Sequence, residues 1–207
     1  MRPFDLAIFD CDGVLFDSKE ANRAYYNAIL ARFSRGPMNE DEMAYIHMHT
    51  AEQSVRHLFR DDEDACTQAI IFAKGLDYSG YLHLLKMEPG VTETVSAIRP
   101  YIRTAIFTNR GTTMPKLREI FGLDSLFDSI LCALDVRDPK PHPEGILKIL
   151  GQMGIEGQRA VYIGDSPLDE QAAKRAGVRL MAYKNESLDA MFHVKHFHEI
   201  KTILLSA

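Results

Sequence analysis

The chain has 207 residues, and 24 lysines and arginines against 29 aspartates and glutamates give it a formal net charge of −5 at pH 7. With 46% hydrophobic and 26% charged residues, its composition is that of a globular protein and not of a disordered one. The acidic balance argues against nucleic acid or an anionic membrane as a partner, since both attract basic surfaces.

The N-terminal segment does not have the features of a secretory signal. Its apolar stretch, Leu6–Phe9, is short and lies between Asp5 and Asp10, and no small-residue cleavage site follows. The three cysteines are an odd number without the spacing of a zinc site, and no apolar run approaches the ~18 residues of a membrane span. These features predict a reduced, cytoplasmic protein.

Short apolar segments that end in polar turns predict buried strands. The pattern is clearest at residues 4–9, 104–107 and 160–163, and weaker at 130–132 and 178–182. Helical patterns lie between them at 91–98, 115–121, 143–153 and 170–176. Strands that alternate with helices predict an α/β fold with a parallel sheet, in which ligands bind beyond the carboxyl ends of the strands.

Residues 17–85 interrupt this alternation. They show no convincing strand and predict helices, among them 20–33, 51–59 and 63–74. Thr50 and Gln53 have the spacing of a capping box at the start of one of these helices. We therefore expect a helical insertion after the first strand, and the chain returns to the α/β body near residue 86.

The first strand ends in Asp10-Cys11-Asp12-Gly13. Residues two apart on an extended strand point the same way, and Gly13 permits a turn that directs both carboxylates into one cleft. Close carboxylates repel unless a cation or a proton intervenes, and one ionised nucleophile beside one protonated acid resolves that conflict. The plain alternative is a turn in which the aspartates cap backbone groups.

Two further segments carry groups that suit a phosphate. Thr108-Asn109 ends the second strand, where a hydroxyl and an amide before a helix could hold phosphate oxygens. In Asp138-Pro139-Lys140-Pro141, prolines stiffen the backbone around one ammonium group, which suits a charge that builds up on a transferred group. The alternatives are an ordinary turn for the first and a stiff loop with an exposed lysine for the second.

The third strand ends in Gly164-Asp165, and Asp169 follows four residues after Asp165. These carboxylates could cap the next helix or hold a hard cation. Mg²⁺ prefers one or two carboxylates together with waters and phosphate oxygens.

The order and types of these four motifs resemble the haloacid dehalogenase (HAD) superfamily: Asp-x-Asp-Gly, then Thr-Asn, then Lys-Pro-x-Pro, then Gly-Asp-x-x-x-Asp. The resemblance covers the whole chain and is strongest to the branch of phosphoglycolate phosphatases and β-phosphoglucomutases. It implies a Rossmannoid parallel-sheet core at residues 1–16 and 86–207 and a type 1 helical cap at 17–85.

The resemblance also implies roles for individual residues. Asp10 would be the nucleophile that becomes an aspartyl-phosphate, and Asp12 would protonate the leaving oxygen and then activate water. Thr108 and Lys140 would hold phosphoryl oxygens. The remaining implied roles are a Mg²⁺ ion on the Asp10 side chain, the Asp12 carbonyl and Asp165, a supporting role for Asp169, and a phosphate or substrate contact from Asn109. Arg110 departs from the lysine or serine more usual after Thr-Asn, and it is either an anion contact or a surface cation. His49, near the expected specificity loop, is either a substrate contact or part of an exposed turn.

The function implied is Mg²⁺-dependent hydrolysis of a small phosphate monoester, a phosphorylated metabolite. A phosphomutase is one alternative, although the position twelve residues after the nucleophile, a histidine in β-phosphoglucomutases, is here Asn22. A phosphate-ligand sensor or partner-binding module on the same fold is the other. The histidine-rich stretch at 192–198 is interpreted as a surface segment, because no cysteine or carboxylate spacing there supports a metal site.

Overall fold

The computed structural model of the chain describes residues 3–206 and contains two compact units. One unit runs to Phe16 and resumes at Met87, and the other spans Asp17–Lys86. The chain passes from the first unit to the second within the short strand Phe16–Asp17, and it returns within the short strand Lys86–Met87. The assignment of the first unit as a catalytic core and of the second as a cap stays a prediction.

The elements follow one another in this order: β1 Leu6–Phe9, β2 Phe16–Asp17, α1 Lys19–Arg32, α2 Glu40–Met48, α3 Ala51–Leu58, α4 Glu63–Gly75, β3 Lys86–Met87, α5 Val91–Ile98, β4 Arg103–Phe107, α6 Met114–Phe121, α7 Leu123–Leu126, β5 Ser129–Leu131, α8 Glu144–Met153, β6 Ala160–Gly164, α9 Pro167–Arg175, β7 Arg179–Tyr183, β8 Phe192–Val194 and α10 Phe197–Leu205. Short 3₁₀ helices occupy Tyr78–Leu84, Ala133–Asp135 and Gly157–Arg159. No helix between residues 3 and 206 has the length and apolar character to cross a bilayer.

The first unit is built on a parallel sheet of six strands in the order β5-β4-β1-β6-β7-β8. β1 is central, and its Leu6 pairs with Arg103 of β4 on one side and with Ala160 of β6 on the other. Every residue of β1 and β6 is buried, as expected for parallel strands. The sheet confirms the predicted α/β fold class.

The sheet order explains how distant motifs meet. Asp10 follows β1, Thr108 follows β4 and Asp165 follows β6, and these three strands are neighbours. Their carboxyl ends therefore lie side by side at one edge of the sheet, where α/β proteins place their ligands.

The second unit consists of α1 to α4 and the 3₁₀ helix at Tyr78–Leu84. The predicted capping box is present, since Thr50 accepts from the Gln53 amide and Gln53 accepts from the Thr50 amide. α2 is an additional helix that the sequence interpretation did not name. It begins with a second capping box between Asn39 and Glu42.

The interpretation of residues 192–198 as a surface segment holds for its three histidines, which are exposed, and is wrong for the apolar residues between them. The stretch forms β8 and the start of α10, and Val194 and Phe197 are buried, with 3% and 1% exposure. Alternate residues of a strand face opposite ways, so the exposed His193 interrupts the apolar pattern of this short edge strand. The Phe197 ring stacks on Phe9 of β1 at 6.3 Å between centroids.

Candidate active site

Asp10 is a buried carboxylate at the carboxyl end of the central strand. Its backbone amide continues the sheet and donates to the Ile163 carbonyl at 2.9 Å. Its side chain is 9% exposed, and its Oδ1 accepts a hydrogen bond from Lys140 Nζ at 2.7 Å. The predicted nucleophile is thus held by the lysine of the Lys-Pro-x-Pro motif, 130 residues later in the chain.

The Lys140 ammonium makes three hydrogen bonds, all to protein oxygens. Besides Asp10 it donates to Asp169 Oδ1 at 2.6 Å and to the Tyr162 hydroxyl at 3.0 Å. Tyr162 in turn donates to the Phe107 carbonyl at 2.7 Å. The lysine is 2% exposed, so the solvent-exposed lysine weighed as an alternative is ruled out.

The backbone of Lys140 is fixed by Asn109. The Asn109 Nδ2 donates to the Lys140 carbonyl at 3.0 Å, and the Lys140 amide donates to Asn109 Oδ1 at 2.9 Å. These reciprocal bonds tie the turn after β4 to the loop before α8. The structure therefore shows Asn109 as the residue that locates the lysine, whereas its predicted contact with substrate stays a prediction.

Burial dominates the electrostatics of this cluster. It raises the pKa of the Asp10 carboxyl to about 8, since the nearby Asp169 and Asp165 add to the effect of desolvation and outweigh the attraction of Lys140. Burial lowers the pKa of the Lys140 ammonium, but attraction to Asp10 and Asp169 overcomes it and raises that pKa well above its usual value. Three carboxylates near one ammonium favour the binding of an additional cation.

Asp165 and Asp169 sit at the turn between β6 and α9. Ser166 is the N-cap of α9, and its amide and hydroxyl donate to Asp169 Oδ2 at 3.0 and 2.6 Å. Asp169 is fully buried, and its other oxygen accepts from Lys140. Its contacts are those of a residue that supports Lys140 and the turn.

The donor set fits a hard divalent ion. Asp10, Asp165 and Asp169 each offer an oxygen, and these oxygens all lie within 4.8 Å of one another. Because Asp169 already accepts from Lys140 and Ser166, Asp10 and Asp165 are the better candidate ligands. Carboxylate oxygens in this number suit Mg²⁺.

Thr108 and Arg110 follow β4. Thr108 is 1% exposed, and its Oγ1 accepts from the Arg110 amide at 3.1 Å. The Arg110 guanidinium does not point away from the site, as a surface cation would. Its Nε donates to Asp12 Oδ2 at 3.0 Å and its Nη2 to Asp12 Oδ1, so that both carboxylate oxygens of the predicted acid–base residue are engaged.

Two residues considered from the sequence lie in the second unit. His49 stacks on Tyr45 at 3.7 Å between ring centroids, and its Nδ1 lies 2.8 Å from the Tyr45 carbonyl. Asn22 is buried and accepts from the Tyr78 hydroxyl at 2.9 Å. Both side chains have structural contacts within that unit, and the substrate contact predicted for His49 stays a prediction.

Two members of the cluster were missed in the sequence. Tyr162 lies inside a fully apolar strand, where an aromatic residue predicts only core packing, and no sequence signal shows that its hydroxyl reaches Lys140. Ser166 could have been found, since Ser166 and Asp169 have the spacing of a capping box just after the third strand.

Comparison with known proteins shows the family of the chain. A sequence model of the haloacid dehalogenase-like hydrolases matches residues 7–183. The chain is 30% identical over 188 residues to phosphoglycolate phosphatase 1 of Pseudomonas aeruginosa, covering 86% of this chain and 68% of that protein. It is 25% identical over 175 residues to pyrophosphatase PpaX of Bacillus velezensis, covering 83% of this chain and 79% of that protein.

A solved structure is similar throughout. The crystal structure of a HAD-superfamily hydrolase, subfamily IA, variant 1, from Geobacter sulfurreducens superposes with a TM-score of 0.80 at 35% identity. The match covers 98% of this chain and 97% of that one.

Proposed function

Because the chain belongs to the haloacid dehalogenase-like hydrolase family, we propose that it hydrolyses a small phosphate monoester through a phosphoryl group carried on Asp10. The observation that carries the proposal is the Asp10–Lys140–Asp169 cluster at the carboxyl end of β1. A buried carboxylate beside a cation, at the edge where parallel sheets bind ligands, suits attack on phosphorus. The substrate is a phosphorylated metabolite, and the location expected from the sequence is the cytoplasm.

The reaction has two halves. In the first, an Asp10 carboxylate oxygen forms a bond to phosphorus while the ester bond to the leaving oxygen breaks, and Asp12 gives that oxygen a proton. In the second, Asp12 takes a proton from water, whose oxygen attacks phosphorus and releases phosphate and the Asp10 carboxylate. General acid and base catalysis of this kind contributes about 10²–10⁴-fold.

The surrounding residues orient these groups. Lys140 holds Asp10 in place and offsets its charge, while Asp169, Tyr162 and Asn109 hold Lys140. Thr108, at the end of β4, is the proposed contact for a phosphoryl oxygen. Because Lys140 already donates three hydrogen bonds, its own contact with the phosphoryl group requires one of them to be exchanged.

Mg²⁺ is the proposed cofactor. Asp10 and Asp165 would hold it with their side chains, together with the Asp12 carbonyl that the family resemblance implies. When bound, the ion supplies positive charge that offsets the charge of the phosphoryl oxygens.

Phosphate release from a panel of substrates with Mg²⁺ tests the proposal. The panel contains 2-phosphoglycolate and pyrophosphate, since relatives are named for activity on them, and 4-nitrophenyl phosphate as a general substrate. We expect Asp10→Asn to lower turnover by at least ~10³-fold, because it removes the nucleophile of a covalent mechanism. The matched control is Asp189→Asn, which changes an exposed aspartate of the same unit.

Turnover by Asp10→Asn close to that of the unchanged protein would contradict the covalent mechanism. Glucose 1-phosphate distinguishes the phosphomutase alternative, because a mutase converts it to the 6-phosphate whereas a phosphatase releases phosphate. Absence of turnover on the whole panel would favour the non-catalytic alternative.

A further inference from the structure

Arg110 makes a largely buried ion pair with Asp12, in which the guanidinium forms two hydrogen bonds to the carboxylate. The side chains are 5% and 13% exposed, and two guanidinium nitrogens each bond to a different carboxylate oxygen. The Arg110 side chain is anchored in turn, because its Nη1 donates to Thr113 Oγ1 at 3.1 Å. Its backbone is anchored as well, through the bond from its amide to Thr108.

Asp12 lies in the turn after β1, where its backbone forms an isolated bridge with Phe16. It follows the end of β1 by three residues and precedes Gly13, which has a positive φ of 81°. A side chain on such a turn does not lie in the rows that order side chains on a sheet. Arg110 bonds to both oxygens of the Asp12 carboxyl group, and these contacts constrain its direction.

We propose that Arg110 is a positioning residue, which sets the plane and direction of the Asp12 carboxyl group for proton transfer to the leaving oxygen. This inference rests on the proposed function. A carboxylate has about four lone-pair sites, and the two bonds from Arg110 use one site on each oxygen. When Asp12 acts as the acid, its proton occupies one of the remaining lone-pair sites, which lie in the same plane, and the guanidinium fixes the direction from which that proton is given to the leaving oxygen.

This role differs from the phosphate contact predicted from the sequence. The Nε, Nη1 and Nη2 atoms of Arg110 already donate to Asp12 and Thr113. A rigid fork is needed for such an orientation, and lysine, with a single point charge, does not reproduce it.

The choice of leaving group distinguishes a residue that positions Asp12 from a residue that binds the phosphoryl group. The 4-nitrophenolate ion leaves readily without a proton, whereas the alkoxide of glycerol 1-phosphate needs one. We expect Arg110→Met to lower kcat/KM for glycerol 1-phosphate by ~10–100-fold. For 4-nitrophenyl phosphate we expect less than about a threefold change, because the interaction with the phosphoryl group is unaltered. The ratio kcat/KM is the measure, since it reports only the steps up to phosphoryl transfer.

Three further variants complete the test. Arg110→Lys should recover only part of the loss on glycerol 1-phosphate. In an Asp12→Asn background, Arg110→Met should cause no additional loss, because both changes act through one group. Arg159→Met is the matched control, since Arg159 makes the same two-pronged pair with Asp5 at 2.8 and 2.6 Å, and it should leave the substrate ratio unchanged.

Equal losses on both substrates would overturn the inference and show that Arg110 binds phosphate or only stabilises the fold. A further loss in the Asp12→Asn background would overturn it as well. The activity on 4-nitrophenyl phosphate also verifies that each variant is folded. No phosphate release by the unchanged protein with Mg²⁺ would instead overturn the proposed function, and this inference with it.

Discussion

The central strand β1 is flanked by an aspartate at each end, and each aspartate is paired with a cation from a distant part of the chain. At the amino end, the Asp5 side chain is 51% exposed and forms an ion pair with Arg159. At the carboxyl end, the Asp10 side chain is 9% exposed and is bound by Lys140. The hydrogen bond from Arg159 lowers the pKa of Asp5, whereas burial raises the pKa of Asp10 to about 8.

The comparison shows how burial changes the role of an ion pair. The exposed pair is solvated, so it contributes little to stability and constrains little else. The buried pair is desolvated, so protein groups must replace water: Tyr162 and Asp169 accept from the Lys140 ammonium, and Asn109 fixes the Lys140 backbone. Such costly arrangements are typical of functional sites.

The largest effect is expected from Lys140→Met, which leaves two buried carboxylates without their cation. We expect the free energy of unfolding to fall by about 3–5 kcal/mol, as when one partner of a buried pair is removed. Urea unfolding with EDTA present measures it. Lys184→Met is the control, because Lys184 is 46% exposed in its pair with Glu88. A change of less than about 1 kcal/mol for Lys140→Met would show that burial does not set the two pairs apart.

A second comparison concerns two glycines near the ends of β6, where neighbouring atoms leave no room for a side chain. A Cβ at Gly164, the carboxyl end, would lie 2.5 Å from the Asp169 Cβ, and one at Gly157, just before the amino end, would lie 2.8 Å from the Gly177 carbonyl. Overpacking of this kind destabilises by about 1–3 kcal/mol, so alanine should lower thermal stability at both positions. Only Gly164→Ala should also lower kcat, by ~10-fold, because it displaces Asp169 from Lys140. Equal kcat for the two variants would contradict the supporting role of Asp169.

The affinity for Mg²⁺ should depend on pH because the proposed ligand Asp10 has a raised pKa. A carboxyl group whose pKa is raised from 3.8 to about 8 contributes stability that is fully present below 3.8 and is lost as the pH rises through 8. Mg²⁺ binds the ionised form, so its apparent Kd should fall by up to about tenfold per pH unit below 8 and then level off. Titrations of Mg²⁺ followed by thermal shift measure this.

In Asp10→Asn the pH dependence of the apparent Kd for Mg²⁺ should largely disappear, while Asp189→Asn should keep it. If the apparent Kd of Asp10→Asn changed with pH as steeply as that of the unchanged protein, the group that loses a proton on Mg²⁺ binding would not be Asp10.

The smallest effect is expected from Asp5→Asn. Since the pKa of Asp5 is lowered from 3.8, the pair contributes stability above that value and loses it as the pH falls through the lowered pKa. The melting temperature should drop by only about 1–2 °C at pH 7 and not at all near pH 2, as for an exposed pair. Thermal unfolding at both pH values measures this change. A large drop in melting temperature at pH 7 would contradict the view that the exposed Asp5 pair contributes little to stability.

The sequence predicted best those elements that depend on residues close together in the chain. The apolar runs at 104–107 and 160–163 ended in polar turns because parallel strands are buried and their ends are not, and these strands are β4 and β6. The Thr50–Gln53 box was recognised because its bonds span only three residues. The Asn39–Glu42 box carries the same signal and would have located α2.

Contacts between distant segments could not be read in this way. Arg110 and Asp12 are 98 residues apart, and Lys140 and Tyr162 meet through a hydroxyl inside the core. Nothing in the local pattern around Arg110 distinguishes a buried partner of Asp12 from a surface cation or an anion contact. The topology of the sheet decides between these possibilities.

The central position of β1 also has a consequence for synthesis of the protein. Its partner strands begin at Arg103 and Ala160, so Leu6 is translated 154 residues before its second neighbour. At about 5–20 residues per second, the ribosome takes roughly 8–30 s over that interval. During this time one side of an apolar strand has no partner in the nascent chain, and the edge that carries the proposed nucleophile is completed only when β6 emerges.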